Sequence, residues 1–530
     1  MLGVMFDCSR NAVMKVSTVK KYADILKRMG YDTIMLYTED TYEVDNQPFF
    51  GHLRGKYTKE EMKEIDEYCY SLGIEVIPCI QTLAHLNCMF KWNKEYGDIR
   101  DYNDILLIDD EKTYKLIEDM ISSLSQCFKT NKIHIGMDEA GMVGLGKYKE
   151  RFGEKDRFEL INDHLHKVCD IAKKYNYTPM LWHDMLGALA LGTYVYNYWD
   201  GDYDLSKISE KAELLPKDIS IVYWDYYKSE QKEYDRLIKT CKLFDRDVIF
   251  AGGAWTWRGF TPDNKYSFEI TEAAIKACKE NGVKDVFFTV WGDDGAECSK
   301  FAILPSLMYG AELLRGNTDM NSIKEKFKEI VGAEFDSFML MDKVNTPGGK
   351  HLSTEHPNKY LLYADPFMGL KDSRCSEQDY EYYKNLAEEL RRAEGKGEFG
   401  YLFDTLEKLS DILSLKSNIG NRARDAYRTR NVEELKKISR DYDNIIEKID
   451  VFYDAFKRQW FEENKPFGFE IQDVRLGGLK QRLLSCKNRI HELIDGKISE
   501  IPELDELVLD GDIATVWSRM ISTNVVTQML

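Results

Sequence analysis

Eight short apolar runs alternate with longer segments of helical periodicity over roughly the first 310 residues of the chain. The runs, bounded by glycine and other turn residues, lie at 2–6, 33–37, 75–80, 132–136, 178–182, 219–224, 247–251 and 285–291. The clearest helical segments between them lie at 18–29, 59–72, 111–128, 158–175 and 270–281. Strands that alternate with helices favour a parallel sheet, so eight such units predict an α/β chain built on a (β/α)₈ TIM barrel.

The strand pattern stops after Gly310, and the rest of the chain has a helical pattern. No proline occurs between Pro366 and Pro466, and apolar residues recur at helical spacing over 431–460 and 467–495. A glycine pair at 477–478 is expected to interrupt the second of these helices. We therefore predict two domains, a (β/α)₈ barrel at 1–315 and an α-helical C-terminal domain at 316–530.

The net charge and the cysteine content limit which binding partners and which cellular location we expect. The chain has 91 acidic and 73 basic residues, a formal net charge of -18, which disfavours nucleic acid and anionic membranes as partners. No apolar run approaches the roughly 20 residues of a membrane helix, and the first residues lack the pattern of a signal peptide. The 11 cysteines are scattered without a Cys-x-x-Cys pair, as in proteins of reducing compartments. We expect a cytoplasmic protein.

Barrels of this kind carry their chemistry at the carboxyl ends of the strands. The side chains that follow the predicted strands are mostly carboxylates and aromatic rings: Asp7, Arg10, Glu39, Asp40, His85, Asn87, Asp138, Glu139, Trp182, His183, Asp184, Trp224, Asp225, Tyr226, Trp255, Trp257, Trp291, Asp293 and Asp294. Tryptophan rings pack against the apolar faces of sugars, and carboxylates and arginine bind sugar hydroxyls. The set predicts a carbohydrate site; the alternative is that the rings only cap the barrel mouth.

The sharpest motif is the acidic pair Asp138-Glu139, which follows the fourth strand. Side chains of neighbouring strand residues point to opposite faces, but both carboxyl groups can enter one pocket where the chain leaves the strand. One member of such a pair has its pKa raised by the other, which suits a general acid acting on a glycosidic oxygen. No phosphate-binding loop or serine nucleophile elbow is present, and His164 and His166 point in different directions on a helix and make a poor metal pair.

These motifs resemble those of glycoside hydrolase family 20, the β-N-acetylhexosaminidases, over the barrel region. The segment 7–10 is similar to the family's Asp-x-Ser-Arg, 57–61 to its Tyr-Thr-x-x-Glu helix start, and 84–87 to its Gly-His-x-Asn turn. The segment 134–140 resembles the family's catalytic strand, and 291–293 its Trp-x-Glu, with aspartate replacing glutamate. A chain that opens at the barrel and adds a helical region is most like the branch with hexosaminidase D and bacterial intracellular hexosaminidases.

The resemblance implies an exo-acting, retaining hydrolase that removes terminal N-acetylglucosamine or N-acetylgalactosamine with help from the substrate's own acetamide. Glu139 would be the general acid and base, and Asp138 would orient the acetamide group. The implied substrate-binding residues are Arg10, His85, Asn87, Trp182, Trp224, Asp225, Tyr226, Trp255, Trp257, Trp291 and Asp293. The implied partner is a carbohydrate, an N-acetylhexosaminide, and no metal or organic cofactor is needed.

Several positions depart from the family pattern and leave alternatives open. Gln81 stands where many members have aspartate, which leaves the partner of His85 open. The seventh strand leads into 252–257 and lacks the family's Tyr-x-Asp, so Tyr223, Tyr226 or Tyr227 would have to bind the acetamide carbonyl.

Other functions also remain open at this stage. One is a retaining barrel glycosidase in which Asp225 or Asp293 is the nucleophile. Another is a catalytically silent sugar-binding protein whose helical domain binds a partner. The helical domain either closes the barrel mouth or forms a homodimer, with 475–482 at its interface. The choice between gluco- and galacto-configured substrates is open as well.

Overall fold

The computed structural model describes residues 1–193, 201, 203–257, 259–347 and 356–509. These residues form two compact units, each of which is described by itself. The first unit contains residues 1–254, 267–291 and 306–318, and the second contains 255–266, 292–305 and the described residues from 319 onward.

The first unit is a closed barrel of eight parallel strands in sequential order, which confirms the predicted (β/α)₈ fold. The strands are β1 Leu2–Asp7, β2 Thr33–Tyr37, β3 Glu75–Cys79, β4 Lys132–His134, β5 Thr178–Trp182, β6 Ser220–Asp225, β7 Asp247–Gly253 and β8 Val286–Val290. The register pairs Val4 of β1 with Ile34 of β2 and with Phe288 of β8, and the second pairing closes the barrel.

The strand sequences are apolar on both faces because both faces are covered. One face packs into the barrel interior, and the other packs against the surrounding helices. The interior is a cluster of buried side chains: Met5, Met35, Tyr37, Ile77, Cys79, Met180, Trp182, Val222, Ile249, Ala251 and Phe287. Trp224 and Trp291 pack against this cluster and are only partly buried, so aromatic surface remains accessible there.

The helices that follow the strands are α1 Val16–Met29, α2 Lys59–Ser71, α3 Asn87–Phe90, α4 Asn93–Tyr96, α5 Glu111–Ser125, α6 Lys147–Phe152, α7 Arg157–Lys174, α8 Asp184–Ala190, α9 Ser206–Ala212, α10 Gln231–Lys242, α11 Asn264–Glu280 and α12 Leu304–Leu314. The sequence motif at 57–61 forms a capping box. Thr58 accepts a hydrogen bond from the Glu61 amide, and the Glu61 carboxylate accepts one from the Thr58 amide. α1 ends at Gly30, whose φ of 86° is the left-handed conformation that glycine adopts readily.

The second unit is helical, as predicted. After α12 its helices are α13 Met320–Val331, α14 Phe335–Met339, α15 Pro357–Tyr363, α16 Glu377–Arg392, α17 Gly400–Lys416, α18 Ile419–Arg428, α19 Val432–Glu463, α20 Glu470–Ile494 and α21 Pro502–Asp505. α19 and α20 run antiparallel, with Tyr453 bonded to Asp473 and Lys487 bonded to Asp443.

The predicted interruption at Gly477-Gly478 is wrong, because α20 continues through the pair. A glycine inside a helix costs about 1 kcal/mol relative to alanine. Leu476, Leu479 and Leu483 are buried on the same helix and offset that cost. None of the described helices is both long and apolar enough to span a membrane. All eleven cysteines lie in the described part of the chain, and none forms a disulfide.

Candidate active site

The chain that leaves β4 has an unusual backbone conformation. Gly136, Met137 and Glu139 have φ values of 73°, 71° and 51°, all in the left-handed region. Such conformations are costly for residues other than glycine. At position 136 a Cβ would lie 2.0 Å from the Gln81 side-chain oxygen and 2.8 Å from the Ile80 carbonyl oxygen, so any residue other than glycine would require Gln81 to move.

Side-chain acceptors hold the peptide N–H groups of this segment. The Gly136 amide donates to His134 Nδ1 at 3.1 Å, and the Met137 amide donates to Gln81 Oε1 at 3.2 Å. The Glu139 amide donates to Asp184 Oδ2 at 2.9 Å. Acceptors on both neighbouring strand–helix connections therefore stabilise the strained segment that carries the acidic pair.

The two carboxyl groups of the acidic pair converge on one histidine. His85 Nε2 lies 3.1 Å from Asp138 Oδ2 and 3.4 Å from Glu139 Oε2. Their exposure differs, because the Asp138 side chain is 12% exposed and the Glu139 side chain is 42% exposed. One carboxylate is thus held within the protein, while the other can reach a bound molecule and water.

Asp138 and His85 each stabilise the charged form of the other. Burial raises the pKa of Asp138, but the positive His85 and hydrogen bonds from His85 and Gln81 outweigh it and bring the pKa below its usual value. Burial likewise lowers the pKa of His85, but Asp138 and Glu139 raise it well above 6.5. Asp138 is therefore an anion at neutral pH.

Gln81 replaces the family's aspartate with a side chain that has both a donor and an acceptor. Its Nε2 donates to Asp138 Oδ1 at 2.7 Å and to the Tyr37 hydroxyl at 2.8 Å. Its Oε1 accepts the Met137 amide. Gln81 thus orients the Asp138 carboxylate and the backbone before it, and His85 has the acidic pair itself as its partner.

A third carboxyl group, that of Asp184, contacts the backbone of Glu139. It is the first residue of α8 and is 0% exposed. Besides the Glu139 amide, it accepts a hydrogen bond from Trp224 Nε1 at 3.2 Å. Burial, followed by the negative charge of Asp138, raises the pKa of Asp184 to about 7.

Arg10 lies among anionic and aromatic groups at the carboxyl ends of β1, β2 and β8. Its NH1 is 3.5 Å from Asp7 Oδ2 and 3.4 Å from Glu39 Oε1. Its guanidinium carbon lies 5.2 Å from the ring centroid of Tyr37 and 5.1 Å from that of Trp291. These contacts fix the guanidinium in one orientation while leaving 24% of the side chain exposed.

The predicted aromatic residues of the first unit lie at different depths. Trp182 is 1% exposed and packs 4.3 Å from the His134 ring and 6.4 Å from Trp291, measured between ring centroids. Trp224 and Trp291 are partly buried. Tyr226 stacks on Trp224 with ring centroids 5.4 Å apart and an interplanar angle of 29°.

The three candidate tyrosines differ in their surroundings. Tyr223 is fully buried, and its hydroxyl donates to Asp225 Oδ2 at 3.1 Å. Tyr227 is 54% exposed, and its amide donates to Asp225 Oδ1. Tyr226 is buried, which raises its pKa well above 10, and its hydroxyl contacts Thr289 and Trp291. Of the three, Tyr226 points toward the aromatic residues of the site.

The remaining predicted site residues are one residue of the first unit and three of the second. Asn87 is exposed at the first position of α3 and takes no part in the hydrogen bonds between His85 and the acidic pair. Trp255, Trp257 and Asp293 belong to the second unit. There Trp255 stacks on Trp257 at 4.3 Å between centroids, and Asp293 begins a short 3₁₀ turn. Their roles stay predictions.

No sequence motif assigns a role in the site to Tyr37, Glu39, Gln81 or Asp184. Tyr37 looks like another apolar strand residue, and Glu39 and Asp184 are two of many carboxylates after strands. The sequence does single out Gln81, because it departs from the family pattern four residues before His85. Within the described ranges, no group of three or more His, Cys, Asp or Glu side chains is arranged to hold a metal ion.

Comparison with known proteins assigns the class. Residues 2–246 match the model of the glycosyl hydrolase family 20 catalytic domain, so the barrel is of that class. Residues 336–518 match the model of the glycoside hydrolase 20C C-terminal domain. With both models matched along its length, the chain belongs to glycoside hydrolase family 20.

The individual relatives are distant. Human hexosaminidase D is 23% identical over 226 residues, which cover 41% of this chain and 43% of that protein. A β-hexosaminidase of Akkermansia muciniphila is 23% identical over 290 residues, covering 47% of this chain and 59% of that protein. The matches thus span about half the length of these relatives. The solved β-N-acetylhexosaminidase of Bacteroides fragilis aligns with a TM-score of 0.47 and 20% identity, over 62% of this chain and 70% of that one.

Proposed function

We propose that this protein is an exo-acting β-N-acetylhexosaminidase with a retaining, substrate-assisted mechanism. One observation carries the proposal: Asp138 and Glu139 share His85, with Asp138 held inside as an anion and Glu139 half-exposed. Because the two carboxylates are neighbours in the chain, they cannot lie on opposite sides of a sugar ring. In other retaining glycosidases the acid and the nucleophile come from separate strands and can do so. Asp138 and Glu139 suit a reaction in which the substrate supplies its own nucleophile.

In the first step Glu139 gives its proton to the glycosidic oxygen. The bond between C1 and that oxygen breaks, and the alcohol leaves. The carbonyl oxygen of the 2-acetamido group forms a bond to C1 at the same time, which yields an oxazolinium ion. Holding the acetamide beneath C1 turns a bimolecular attack into an intramolecular one, an advantage of several orders of magnitude.

In the second step the Glu139 carboxylate takes a proton from a water molecule, whose oxygen attacks C1. The bond between C1 and the acetamide oxygen breaks, and the β configuration is restored. Glu139 ends the cycle protonated, ready for the next substrate. Its 42% exposure gives water access to the carboxylate, which this step requires.

Asp138 would accept the acetamide N–H and stabilise the positive charge of the oxazolinium ion. Its carboxylate already accepts bonds from Gln81 and His85. Two carboxylate oxygens offer about four acceptor positions, so a further donor fits. Since its pKa is lowered, the group carries the charge this role needs. We propose Tyr226 as the donor to the acetamide carbonyl.

The sugar ring would lie between aromatic surfaces and a cation. We propose that Trp224 and Trp291 contact its apolar face and that Arg10 binds its hydroxyls. His85, Asn87, Trp182, Asp225, Trp255, Trp257 and Asp293 complete the proposed substrate-binding set. We place the catalytic domain at 1–315 and the helical domain at 316–530, and we propose a cytoplasmic location, supported by the eleven free cysteines. The homodimer and the lack of nucleic-acid binding stay predictions.

The test is a panel of aryl β-glycosides that differ at C2 and C4. We expect hydrolysis of the 2-acetamido compounds, no hydrolysis of the glucoside, and strong inhibition by a thiazoline mimic of the oxazolinium ion. Hydrolysis that persists without the acetamido group would instead support an enzyme nucleophile. Asp225 is a poor one, because it is 2% exposed and both its oxygens accept hydrogen bonds. Binding of N-acetylglucosamine without turnover would indicate a sugar-binding protein.

A further inference from the structure

Asp184 connects two parts of the site that come from different strands. Its Oδ2 accepts the amide of Glu139, which follows β4, at 2.9 Å. Its Oδ1 accepts the indole N–H of Trp224, on β6, at 3.2 Å. Asp184 itself follows β5 and is 0% exposed. A single buried carboxyl group is therefore hydrogen-bonded both to the backbone of Glu139, the proposed acid, and to the ring of Trp224, which we propose contacts the sugar.

The surroundings of Asp184 do not favour a charge. Within the described residues it forms no salt bridge, and the charged groups that face it are the carboxylates of Asp138 and Glu139. His183, next to it in the chain, is neutral because burial lowers its pKa to about 3. Burial and Asp138 accordingly raise the pKa of Asp184 to about 7. A group needed only for stability would be better replaced here by a neutral side chain.

We propose that Asp184 is a positioning residue whose carboxylate form fixes Glu139 and the Trp224 ring relative to each other. The inference rests on the proposed function and assigns that site a further residue. Two N–H donors approach the side chain, one at each oxygen. A carboxylate accepts both, whereas a carboxylic acid or an amide has a hydrogen-bearing group at one of the two positions.

The backbone of Glu139 needs this support. Its φ of 51° lies in the left-handed region, and its amide donates to the buried Asp184 carboxyl group. When that bond is lost, the residue can relax toward an ordinary conformation and move its carboxyl group away from the glycosidic oxygen. Displacements of about 1 Å in an active site can cost about 100-fold in rate.

The test compares Asp184→Asn with Asp342→Asn. Asp342 is a matched control in the second unit: it is buried, it accepts Asn264 Nδ2 at 3.1 Å and the Lys265 amide at 2.9 Å, and its pKa is raised to about 8 by burial and by Asp263. We expect Asp184→Asn to lower kcat by roughly 10- to 100-fold with a smaller change in KM. Asp342→Asn should keep its kcat while losing a similar amount of thermal stability.

The pH profile separates positioning from a merely structural role. Below pH 7 the wild-type Asp184 takes up a proton, and the protonated oxygen accepts its N–H donor much more weakly, so kcat should rise as the pH increases through about 7. The Asn variant has no such titration, and that limb should disappear. A kcat and an acid limb like those of the wild type in Asp184→Asn would overturn the inference while leaving the proposed function intact.

A second readout does not depend on activity. In a ¹⁵N–¹H spectrum the indole resonance of Trp224, assigned with Trp224→Phe, should shift with a midpoint near pH 7 and lose this titration in Asp184→Asn. An indole signal that does not respond to either change would overturn the connection itself. A wild-type protein that titrates in this way but hydrolyses no N-acetylhexosaminide would overturn the proposed function and, with it, the positioning role of Asp184 in catalysis.

Discussion

His85 and Asp138 form a buried pair in which each partner holds the other in its charged form. His85 Nε2 lies 3.1 Å from Asp138 Oδ2, and the two side chains are 18% and 12% exposed. The pKa of His85 is raised well above 6.5 and that of Asp138 is lowered, in each case against the effect of burial. The folded state therefore gains stability over the pH range in which both charges exist.

The first prediction concerns stability against pH. A raised histidine pKa stabilises the fold fully below about pH 6.5 and ceases to do so as the pH rises through the raised value. A lowered aspartate pKa stabilises above about pH 4, and this is lost as the pH falls through the lowered value. The pair should thus contribute most between about pH 4 and 6.5.

The variant His85→Gln tests this contribution. It should lower the free energy of unfolding by roughly 1–3 kcal/mol at pH 6, since a buried Asp138 loses its charged partner, and by less at high pH. Urea denaturation from pH 4 to 9 measures the difference. His166→Gln, at an exposed histidine, is the control, and its free energy of unfolding should change with pH as that of the wild type does. If the free energy of unfolding of His85→Gln also followed the wild type at every pH, the pair would contribute nothing to stability.

The second prediction concerns the acidic pair. Glu139→Gln should lower kcat by roughly 10²–10⁴-fold, the usual worth of a general acid. Asp138→Asn should lower both the rate and the affinity for a thiazoline inhibitor, because the positive ring then lacks its anionic partner. Hydrolysis of an aryl N-acetyl-β-glucosaminide gives the rates, and circular dichroism checks the fold. Glu150→Gln, on the exposed face of α6, should behave as the wild type; near-normal turnover in Glu139→Gln would contradict the assignment.

The third prediction concerns Gln81. Its N–H bond to Asp138 lowers the pKa of that carboxyl, so Gln81→Glu removes a donor and adds a negative charge beside it. Besides the limb near pH 7 assigned to Asp184, the kcat/KM profile should have a second acid limb from Asp138 at lower pH, and Gln81→Glu should move this lower limb upward by about 1 pH unit. Gln126→Glu, at an exposed position on the barrel, should leave the profile in place. An unchanged lower limb in Gln81→Glu would mean that Asp138 does not govern it.

The sequence was sufficient for the barrel because its signal is periodic. Each strand is a short run that is apolar on both faces, and each run was found to within a few residues. The difference at β4 is instructive: the predicted strand 132–136 ends at His134, because the chain turns into the left-handed conformation at Gly136. An apolar pattern does not encode that change of backbone direction.

The site was only partly accessible from the sequence. Arg10, His85 and the acidic pair follow strands in family-like motifs, and the structure joins His85 to the pair. The bonds that Gln81 and Asp184 make to the peptide groups of Met137 and Glu139 link β3 and β5 to β4, and no spacing within one motif predicts them. The depth of a side chain is also hidden in the sequence: Trp182 ends β5 and Trp224 is the next-to-last residue of β6, yet the first is buried and the second is partly exposed.

The fourth prediction separates steric from conformational cost at Gly136. Gly136→Ala adds a left-handed alanine and a Cβ that would lie 2.0 Å from Gln81 Oε1 and 2.8 Å from the Ile80 carbonyl oxygen. Gly282→Ala has a similar φ of 68° with nothing within 4 Å, so it measures the conformational cost, about 1–2 kcal/mol. Gly136→Ala should cost at least about 1 kcal/mol more in urea denaturation and should also lose activity, because Gln81 must move. Equal losses in the two variants would show that Gln81 accommodates the methyl group.

The fifth prediction concerns a buried ion cluster of the second unit. Glu297 accepts hydrogen bonds from Lys359, with Nζ 3.1 Å from Oε1, and from Arg475. The three side chains are at most 5% exposed, so the two cations depend on a carboxylate that water cannot replace. Glu297→Gln keeps the shape and removes the charge, and we expect the free energy of unfolding to fall by about 3–5 kcal/mol.

The matched control for this cluster is an exposed ion pair of the same unit. Lys436 and Glu433 are 2.9 Å apart, with side chains 47% and 83% exposed, and Glu433→Gln should change stability by less than about 1 kcal/mol. Thermal and urea unfolding of both variants measure the contrast. Similar small losses in both would mean that Lys359 and Arg475 gain access to water when Glu297 is neutral. The two ion pairs have similar distances but differ in burial. A large loss of stability only in Glu297→Gln would therefore show that the contribution of Glu297 depends on the desolvation of its two cations and not only on the attraction between opposite charges.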